Sequence, residues 1–161
     1  MTAPVFRIGT GYDAHRLVEG RPLVLGGVRI EYDRGLEGHS DADVVAHALT
    51  DALLGAAALG DIGTLFPDTD DAFRDADSIG LLKIVIKRIA DLGWEVSNVD
   101  VTVLAEKPVI APFIDEMVLN VENTGIGKGR VNIKATRGEG MGFIGRQEGI
   151  AALAVALLVR A

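Results

Sequence analysis

Val5-Phe-Arg-Ile-Gly-Thr-Gly-Tyr-Asp-Ala-His15 is the stretch that decides the fold, because it joins a strand to two candidate ligands. The residues from Val5 to Tyr12 form a strand-like run. Side chains alternate along extended chain, so Asp13 and His15 are expected to point to the same face. Two neighbouring ligands on one rigid strand end need little further ordering, which makes the pair a candidate metal site.

A third candidate ligand, His47, lies 32 residues after His15 in an apolar run that predicts a helix over about 41–59. Asp13, His15 and His47 form a set that suits zinc and leaves a fourth tetrahedral position open. Asp43, one helical turn before His47, is expected to orient its ring. The alternative is that His15 is a surface residue and His47 only covers the edge of the core.

The rest of the chain predicts one α+β domain over 1–161, with a mixed or antiparallel sheet covered by helices on one side. Ser40 and Gly60 are the expected caps of the first helix. The final run, 150–159, fits either a helix or a strand. Further strands and helices are predicted at these positions: 22–30 with a break at Gly26-Gly27, 99–104 and 131–136 for strands, and 77–92 and 112–124 for helices.

Bulk properties exclude several classes of protein. The chain has 161 residues, 48% of them apolar, and no apolar run of membrane-spanning length. Cysteine is absent, so any metal must be bound by histidine and carboxylate. The net charge of -7 argues against a nucleic-acid surface. The N-terminus has no secretory or transit pattern, which predicts a cytoplasmic protein.

Three smaller motifs are weaker signals, and two of them have two readings. His39-Ser40-Asp41 precedes the first helix, where it could hold a phosphate or serve only as a cap. The loop 66–70 could bind a polyol or Mg²⁺, or be a solvated acidic turn. Gly9-x-Gly11 lacks the remaining glycine of a dinucleotide site.

Taken together, these segments resemble the 2-C-methyl-D-erythritol 2,4-cyclodiphosphate synthase family of the non-mevalonate isoprenoid pathway. The resemblance extends over nearly the whole chain, in the order and at the spacings of the family. The matching blocks are Arg7–His15, Gly38–Val44, His47–Gly55, Ala58–Gly63, Phe66–Asp70, Asn98–Thr102 and Gly145–Gly149.

The resemblance implies a homotrimer with active sites between subunits and one zinc ion per subunit on Asp13, His15 and His47. It implies a second divalent cation, Mg²⁺ or Mn²⁺, with Glu139 as its protein ligand. The implied substrate is 4-diphosphocytidyl-2-C-methyl-D-erythritol 2-phosphate. Further roles are implied as follows: His39 and Thr136 in catalysis; Ser40 at a phosphate; Asp61, Gly63, Phe66 and Asp70 at the erythritol; and Ala105, Pro108 and Ala135 at the cytidine.

The chemistry implied by the resemblance is a ring closure. The 2-phosphate of the substrate attacks the β-phosphorus of the diphosphate and CMP leaves. Cations are needed because two anions must approach each other. A zinc phosphohydrolase and a metal-dependent trimeric binding protein without turnover are the alternatives.

Two positions depart from the pattern of the family. Val109 stands where a lysine is common, with Lys107 nearby, and Arg137 replaces a second threonine. We hypothesise that Arg137 supplies a cation to the nucleotide phosphates. Phe143 and Arg146 belong, by resemblance, to a region near the threefold axis that can hold an isoprenoid diphosphate. Alternatively, Arg146 pairs with Glu148 across a subunit boundary.

Overall fold

The structure is a computed structural model that describes residues 3–67 and 77–160. Its secondary structure comprises seven strands and five α-helices within those ranges. The strands are β1 (Val5–Glu19), β2 (Leu23–Leu25), β3 (Val28–Ile30), β4 (Arg34–Leu36), β5 (Glu95–Leu104), β6 (Val131–Thr136) and β7 (Gly149–Arg160). The helices are α1 (Val44–Ala57), α2 (Ile62–Leu65), α3 (Ser78–Asp91), α4 (Ile114–Val121) and α5 (Gly142–Gly145).

Five of the strands form one mixed sheet in the order β4-β1-β7-β5-β6. The neighbours are antiparallel except for β5 and β6, which run parallel. The predicted α+β domain with a mixed sheet is therefore confirmed. The run 150–159, for which the pattern left two options, is a strand paired with both β1 and β5.

Strand β1 is longer than predicted, and this extension carries the candidate ligands. Asp13 pairs with Ala152 and His15 pairs with Ile150 in the β1–β7 ladder. Both ligands are therefore held inside a hydrogen-bonded strand pair rather than in a loop beyond its end. The alternation predicted for the two side chains follows directly from this extended geometry.

Helix α1 lies unusually close to β1 because the strand has glycine where the helix crosses it. A Cβ atom on Gly9 would lie 1.9 Å from the carbonyl oxygen of Ala52, and one on Gly11 would lie 1.9 Å from that of Ala48. Any larger residue would force the helix away from the sheet. The two glycines therefore set the distance between β1 and the part of α1 that carries His47.

The opposite face of the sheet is apolar and uncovered in the single chain. Phe6, Ile8 and Tyr12 alternate with the glycines that face α1, so they point away from it. They are 57%, 69% and 53% exposed, and Leu153 and Val155 on β7 are 48% and 40% exposed. An apolar patch of this kind is typical of a protein–protein interface.

Helix boundaries are where the sequence interpretation was least accurate. Helix α1 begins at Val44 with Asp43 as its N-cap, and it ends at Ala57 with Ala58 as its C-cap in a left-handed conformation (φ 58°). Ser40 and Gly60 are therefore not its caps. The predicted helix 112–124 is divided into a 3₁₀ turn (Ala111–Phe113), α4, and a π-helical turn (Glu122–Ile126). Within the described ranges, no helix is long and apolar enough to cross a membrane.

Candidate metal centre and active site

Three side chains that the sequence places far apart converge beside β1. Asp13, His15 and His47 each offer one ligand atom, and these atoms all lie within 4.8 Å of one another. The Oδ2 atom of Asp13 is 3.1 Å from Nε2 of His15 and 3.0 Å from Nδ1 of His47. The predicted grouping of the three residues is therefore confirmed, and the reading of His15 and His47 as unrelated surface and core residues is wrong.

The electrostatics of the cluster favour a cation at its centre. Burial alone would raise the pKa of Asp13, but hydrogen bonds and charge interactions with His15 and His47 outweigh burial and lower it to about 2. The hydrogen bond to Asp13 raises the pKa of His15 above its ordinary value. The carboxylate is thus ionised throughout the physiological range. Two imidazole nitrogens and one carboxylate oxygen are ligands that Zn²⁺ prefers, so the residues present fit a zinc ion.

Asp43 does not orient the His47 ring, contrary to the prediction. Its carboxylate is fully buried and accepts four backbone N–H groups instead. Two belong to Val45 and Ala46 at the start of α1, and two belong to Gly26 and Gly27 in the β2–β3 turn. Asp43 therefore ties the hairpin turn to the helix that carries His47, because a helix N-terminus presents unpaired donors.

The outer nitrogen of His47 contacts two serines. Its Nε2 atom lies 2.8 Å from the hydroxyl of Ser78 and 3.3 Å from that of Ser40. Ser78 in turn donates its hydroxyl to the carboxylate of Asp41. The sequence predicts Ser78 only as the start of the helix over 77–92 and Asp41 only as a neighbour of the predicted cap Ser40, since nothing in their spacing indicates a contact with a histidine.

The residues expected at the cytidine gather in one cleft at the ends of the parallel strands β5 and β6. Ala105 donates its backbone N–H to the carbonyl of Thr136 at 3.0 Å. The cleft is lined by Ala105, Glu106, Lys107, Pro108, Val109, Ile110, Ala111, Ala135, Thr136 and Arg137. The cleft thus contains the two positions that depart from the family pattern, Val109 and Arg137, together with the nearby Lys107.

Comparison with known proteins assigns the chain to a family. A family model described as the YgbB family matches residues 6–159. The chain belongs to the YgbB family. It is 58% identical over 149 residues to the 2-C-methyl-D-erythritol 2,4-cyclodiphosphate synthase of Salinibacter ruber, covering 92% of this chain and 95% of that protein. The synthase of Bordetella avium is 57% identical over 161 residues, covering 99% of each. The family predicted from the motifs is confirmed.

Solved structures agree with this membership of the YgbB family. The bifunctional IspDF of Campylobacter jejuni superposes with a TM-score of 0.94 at 45% identity, covering 99% of this chain and 43% of that one. The CDP complex of IspF from Plasmodium falciparum gives a TM-score of 0.84 at 32% identity, with 96% of each chain covered. The fold is therefore the one found in these relatives.

Other predicted site residues of this YgbB family member lie in separate parts of the chain. His39 is exposed, and Asp61 caps α2 by accepting the backbone N–H of Thr64 at 2.8 Å. Gly63 is exposed within α2 and Phe66 is buried after it. The expectation for Asp70 concerns a residue outside the described ranges.

The glycine-rich segment before β7 carries the remaining candidates. Glu139 is exposed and its Oε1 lies 3.4 Å from the guanidinium of Arg137. Phe143 lines a shallow cleft that also includes His15 and Glu148. Arg146 donates to Glu148 of the same chain at 2.9 Å, so these two residues already form a pair without a second subunit.

Proposed function

We propose that this chain is a 2-C-methyl-D-erythritol 2,4-cyclodiphosphate synthase that releases CMP from 4-diphosphocytidyl-2-C-methyl-D-erythritol 2-phosphate. The observation that carries the proposal is the Asp13–His15–His47 cluster in a chain 57–58% identical to named synthases. The reaction forms a bond between a 2-phosphate oxygen and the β-phosphorus and breaks the bond from the β-phosphorus to the CMP oxygen. Such a reaction belongs to isoprenoid precursor biosynthesis.

Asp13, His15 and His47 are the residues that would hold one zinc ion per chain. When bound, zinc supplies positive charge that offsets the repulsion between two phosphates and stabilises charge on the leaving group. The chain itself contributes a ligand set fixed in advance, because two ligands lie in a paired strand and the third on a helix packed directly against it. Preorganised ligands lose little conformational freedom when the substrate binds.

Phosphate binding is assigned to Ser40 and His39, with His39 acting at the reacting phosphate. Support comes from the position of Ser40, whose hydroxyl is 3.3 Å from Nε2 of His47 and so borders the metal centre. Neither serine nor imidazole needs to act as a strong base here, because the attacking phosphate is already ionised.

The cleft between β5 and β6 is assigned to the cytidine. Ala105, Pro108 and Ala135 form its apolar surface, and the hydroxyl of Thr136 takes part in catalysis at the nucleotide phosphates. Arg137 lines the same cleft with an exposed guanidinium, and Glu139 beside it is assigned to a second cation, Mg²⁺ or Mn²⁺. The erythritol is assigned to Asp61, Gly63, Phe66 and Asp70.

A homotrimer accounts for the apolar face of the sheet. Phe6, Ile8 and Tyr12 stand uncovered in the single chain, and association would remove them from water. The phenyl ring of Phe143 and the Arg146–Glu148 pair lie near Gly149 at the start of β7, whereas Phe6 and Ile8 pair with residues near its end. We assign this region to the centre of the assembly, with Phe143 and Arg146 facing an isoprenoid diphosphate.

The function is tested by incubating the purified protein with the substrate and Mg²⁺ and following the products by ³¹P NMR. Cyclic diphosphate and CMP in equal amounts support the synthase. Linear phosphates would indicate a phosphohydrolase, and unchanged substrate a binding protein. Metal analysis of His47→Ala should show loss of the zinc bound by each parent chain, and retained stoichiometric zinc would refute the ligand assignment.

A further inference from the structure

A partly buried chain of hydrogen bonds, with the buried Ser78 at its centre, ends on the outer nitrogen of His47. Nδ1 of this ring faces Asp13 at 3.0 Å, and Nε2 faces the hydroxyl of Ser78 at 2.8 Å. The Ser78 hydroxyl also contacts Oδ1 of Asp41, whose Oδ2 accepts the backbone N–H of Ser78 at 3.1 Å. Ser78 is 1% exposed, so water cannot replace these partners.

The direction of each hydrogen bond follows from the number of protons available. A serine hydroxyl has one proton, and an ionised carboxylate can only accept. The Ser78 proton therefore goes to Asp41, which leaves the lone pairs of the Ser78 oxygen to face His47. Nε2 of His47 must then carry a proton and donate it. The longer contact to Ser40, at 3.3 Å, is compatible with a donating Nε2 because its hydroxyl oxygen also has lone pairs.

A proton on Nε2 also determines the state of Nδ1, the other nitrogen of the His47 ring. A neutral imidazole that is protonated on Nε2 has a lone pair on Nδ1. In the neutral ring that lone pair faces the carboxylate oxygen of Asp13 at 3.0 Å, so the contact is favourable only when a proton or a metal ion lies between the two atoms. Without a metal ion, a second proton on the ring makes one of the hydrogen bonds that lower the pKa of Asp13, and a bound metal ion takes the place of that proton. His15 has the same arrangement, because its ring also bonds the main chain of Glu37 while Nε2 faces Asp13.

We propose that Ser78, held by Asp41, is a positioning residue that keeps His47 in the Nε2-protonated tautomer and presents Nδ1 to the metal. The inference rests on the zinc site of the proposed function but not on its turnover. It also connects α3 to the metal centre, because Ser78 is the first residue of that helix, with Asp77 as its cap. The Ser78 side chain thus aligns a ligand on α1 from the start of a second helix.

The first test uses ¹⁵N-detected NMR of the metal-free parent protein, in which the ring nitrogens of His47 are assigned by comparison with His47→Gln. The proposal requires a mainly Nε2-protonated ring. A mainly Nδ1-protonated ring would overturn the proposal without the need for any further variant.

The second test measures zinc affinity by competition with a chromophoric chelator. Ser78→Ala should weaken zinc binding about 10- to 100-fold, as expected when the partner of a ligating histidine is lost. Asp41→Ala frees the Ser78 proton to be donated to His47, so it should both weaken zinc binding and increase the Nδ1-protonated fraction. Unchanged zinc affinity in a folded Ser78→Ala protein would overturn the proposal.

Thr50→Val is the matched control for structural damage. The Thr50 hydroxyl is buried on α1 one turn after His47, but it donates to the carbonyl of Ala46 at 2.7 Å and not to the ring. The control should lose stability while its zinc affinity stays within about twofold of the parent. A loss of affinity equal to that of Ser78→Ala would mean that general loosening of α1 explains the effect, and it would overturn the positioning role. The proposed function can fail while this inference stands. That outcome is a parent protein with an Nε2-protonated His47 and a zinc affinity that depends on Ser78, but without formation of the cyclic product.

Discussion

Replacing Asp43 with asparagine should lower the stability of the fold without removing any of the three candidate metal ligands. The Oδ1 atom of Asp43 accepts N–H groups from Gly26 at 2.9 Å, Val45 at 3.0 Å and Ala46 at 3.1 Å. Among the described residues, the Oδ2 atom accepts one N–H group, that of Gly27, at 2.8 Å. An asparagine keeps the three contacts if its oxygen occupies the Oδ1 position, and it then turns an NH₂ group toward Gly27.

The expected loss of stability follows from that single mismatch. Two donors facing each other in a buried place leave both unsatisfied, which costs about 1–3 kcal/mol. Asp43→Ala also removes the N-cap of α1, worth about 1 kcal/mol, and the acceptor for both glycines of the turn. We therefore expect a loss of about 3–5 kcal/mol for alanine, a large part of the roughly 5–15 kcal/mol that stabilises a typical domain.

The assay is urea unfolding followed by circular dichroism, at one fixed protein concentration and with EDTA present. These conditions prevent zinc binding and subunit association from masking the change. Asp91→Asn is the matched control, because its exposed carboxylate pairs with Lys87 on the helix surface, at 2.7 Å. The control should change the free energy of unfolding by about 0.5 kcal/mol or less. Equal stability of Asp43→Asn and the parent would refute the argument.

Three further predictions concern the nucleotide, the metal-free site and the assembly. Arg137→Thr should raise the Michaelis constant for the substrate about 3- to 10-fold, in line with the loss of one exposed charge contact; an unchanged constant in steady-state kinetics would contradict its role at the phosphates. In metal-free protein, the Asp13–His15 pair should stabilise the fold by about 1–2 kcal/mol, most strongly between about pH 4 and 6.5. This contribution is lost as the pH falls from 3.8 through the pKa of Asp13 at about 2, and as it rises above 6.5 through the raised pKa of His15. Urea unfolding at a series of pH values checks this, and parallel profiles for the parent and His15→Gln would argue against it. If the chain forms the proposed trimer, Ile8→Asp should dissociate it, so light scattering should report about 17.0 kDa for the variant and three times that mass for the parent; a variant that keeps the mass of a trimer would show that this face is not the interface.

The three candidate ligands could be predicted from the sequence because local rules place them on two neighbouring elements. Strand alternation places Asp13 and His15 on one face, and the helical run places His47 on a neighbouring element. The orienting partner could not be predicted in the same way. One helical turn separates Asp43 from His47, and this spacing favoured Asp43, yet its carboxylate has four buried N–H donors available elsewhere.

Tertiary contacts of this kind also explain the errors in the helix boundaries. Asp43 is the N-cap because its side chain is held between the β2–β3 turn and α1. The cap therefore lies three residues after the predicted Ser40, and the helix begins at Val44. The glycine pair Gly9-x-Gly11 is a second case in which a tertiary contact could not be predicted from the sequence. The sequence correctly excludes a dinucleotide site there, but only the packed structure shows that the glycines allow α1 to approach the strand.

The metal centre thus depends on two different uses of carboxylates in the segment before α1. Asp43 accepts backbone N–H groups and fixes where the helix begins. Asp41 accepts the backbone N–H groups of Asp43 and Ser78 and, in addition, the Ser78 hydroxyl, and through that hydroxyl it fixes the proton on the ring of His47. If these roles are separate, Asp43→Asn should lower stability with little change in the His47 tautomer, and Asp41→Ala should change the tautomer. Measuring both properties in both variants tests this division. A common loss of tautomer and stability would mean that the segment acts as one unit, and that the orientation of His47 is a consequence of helix position alone.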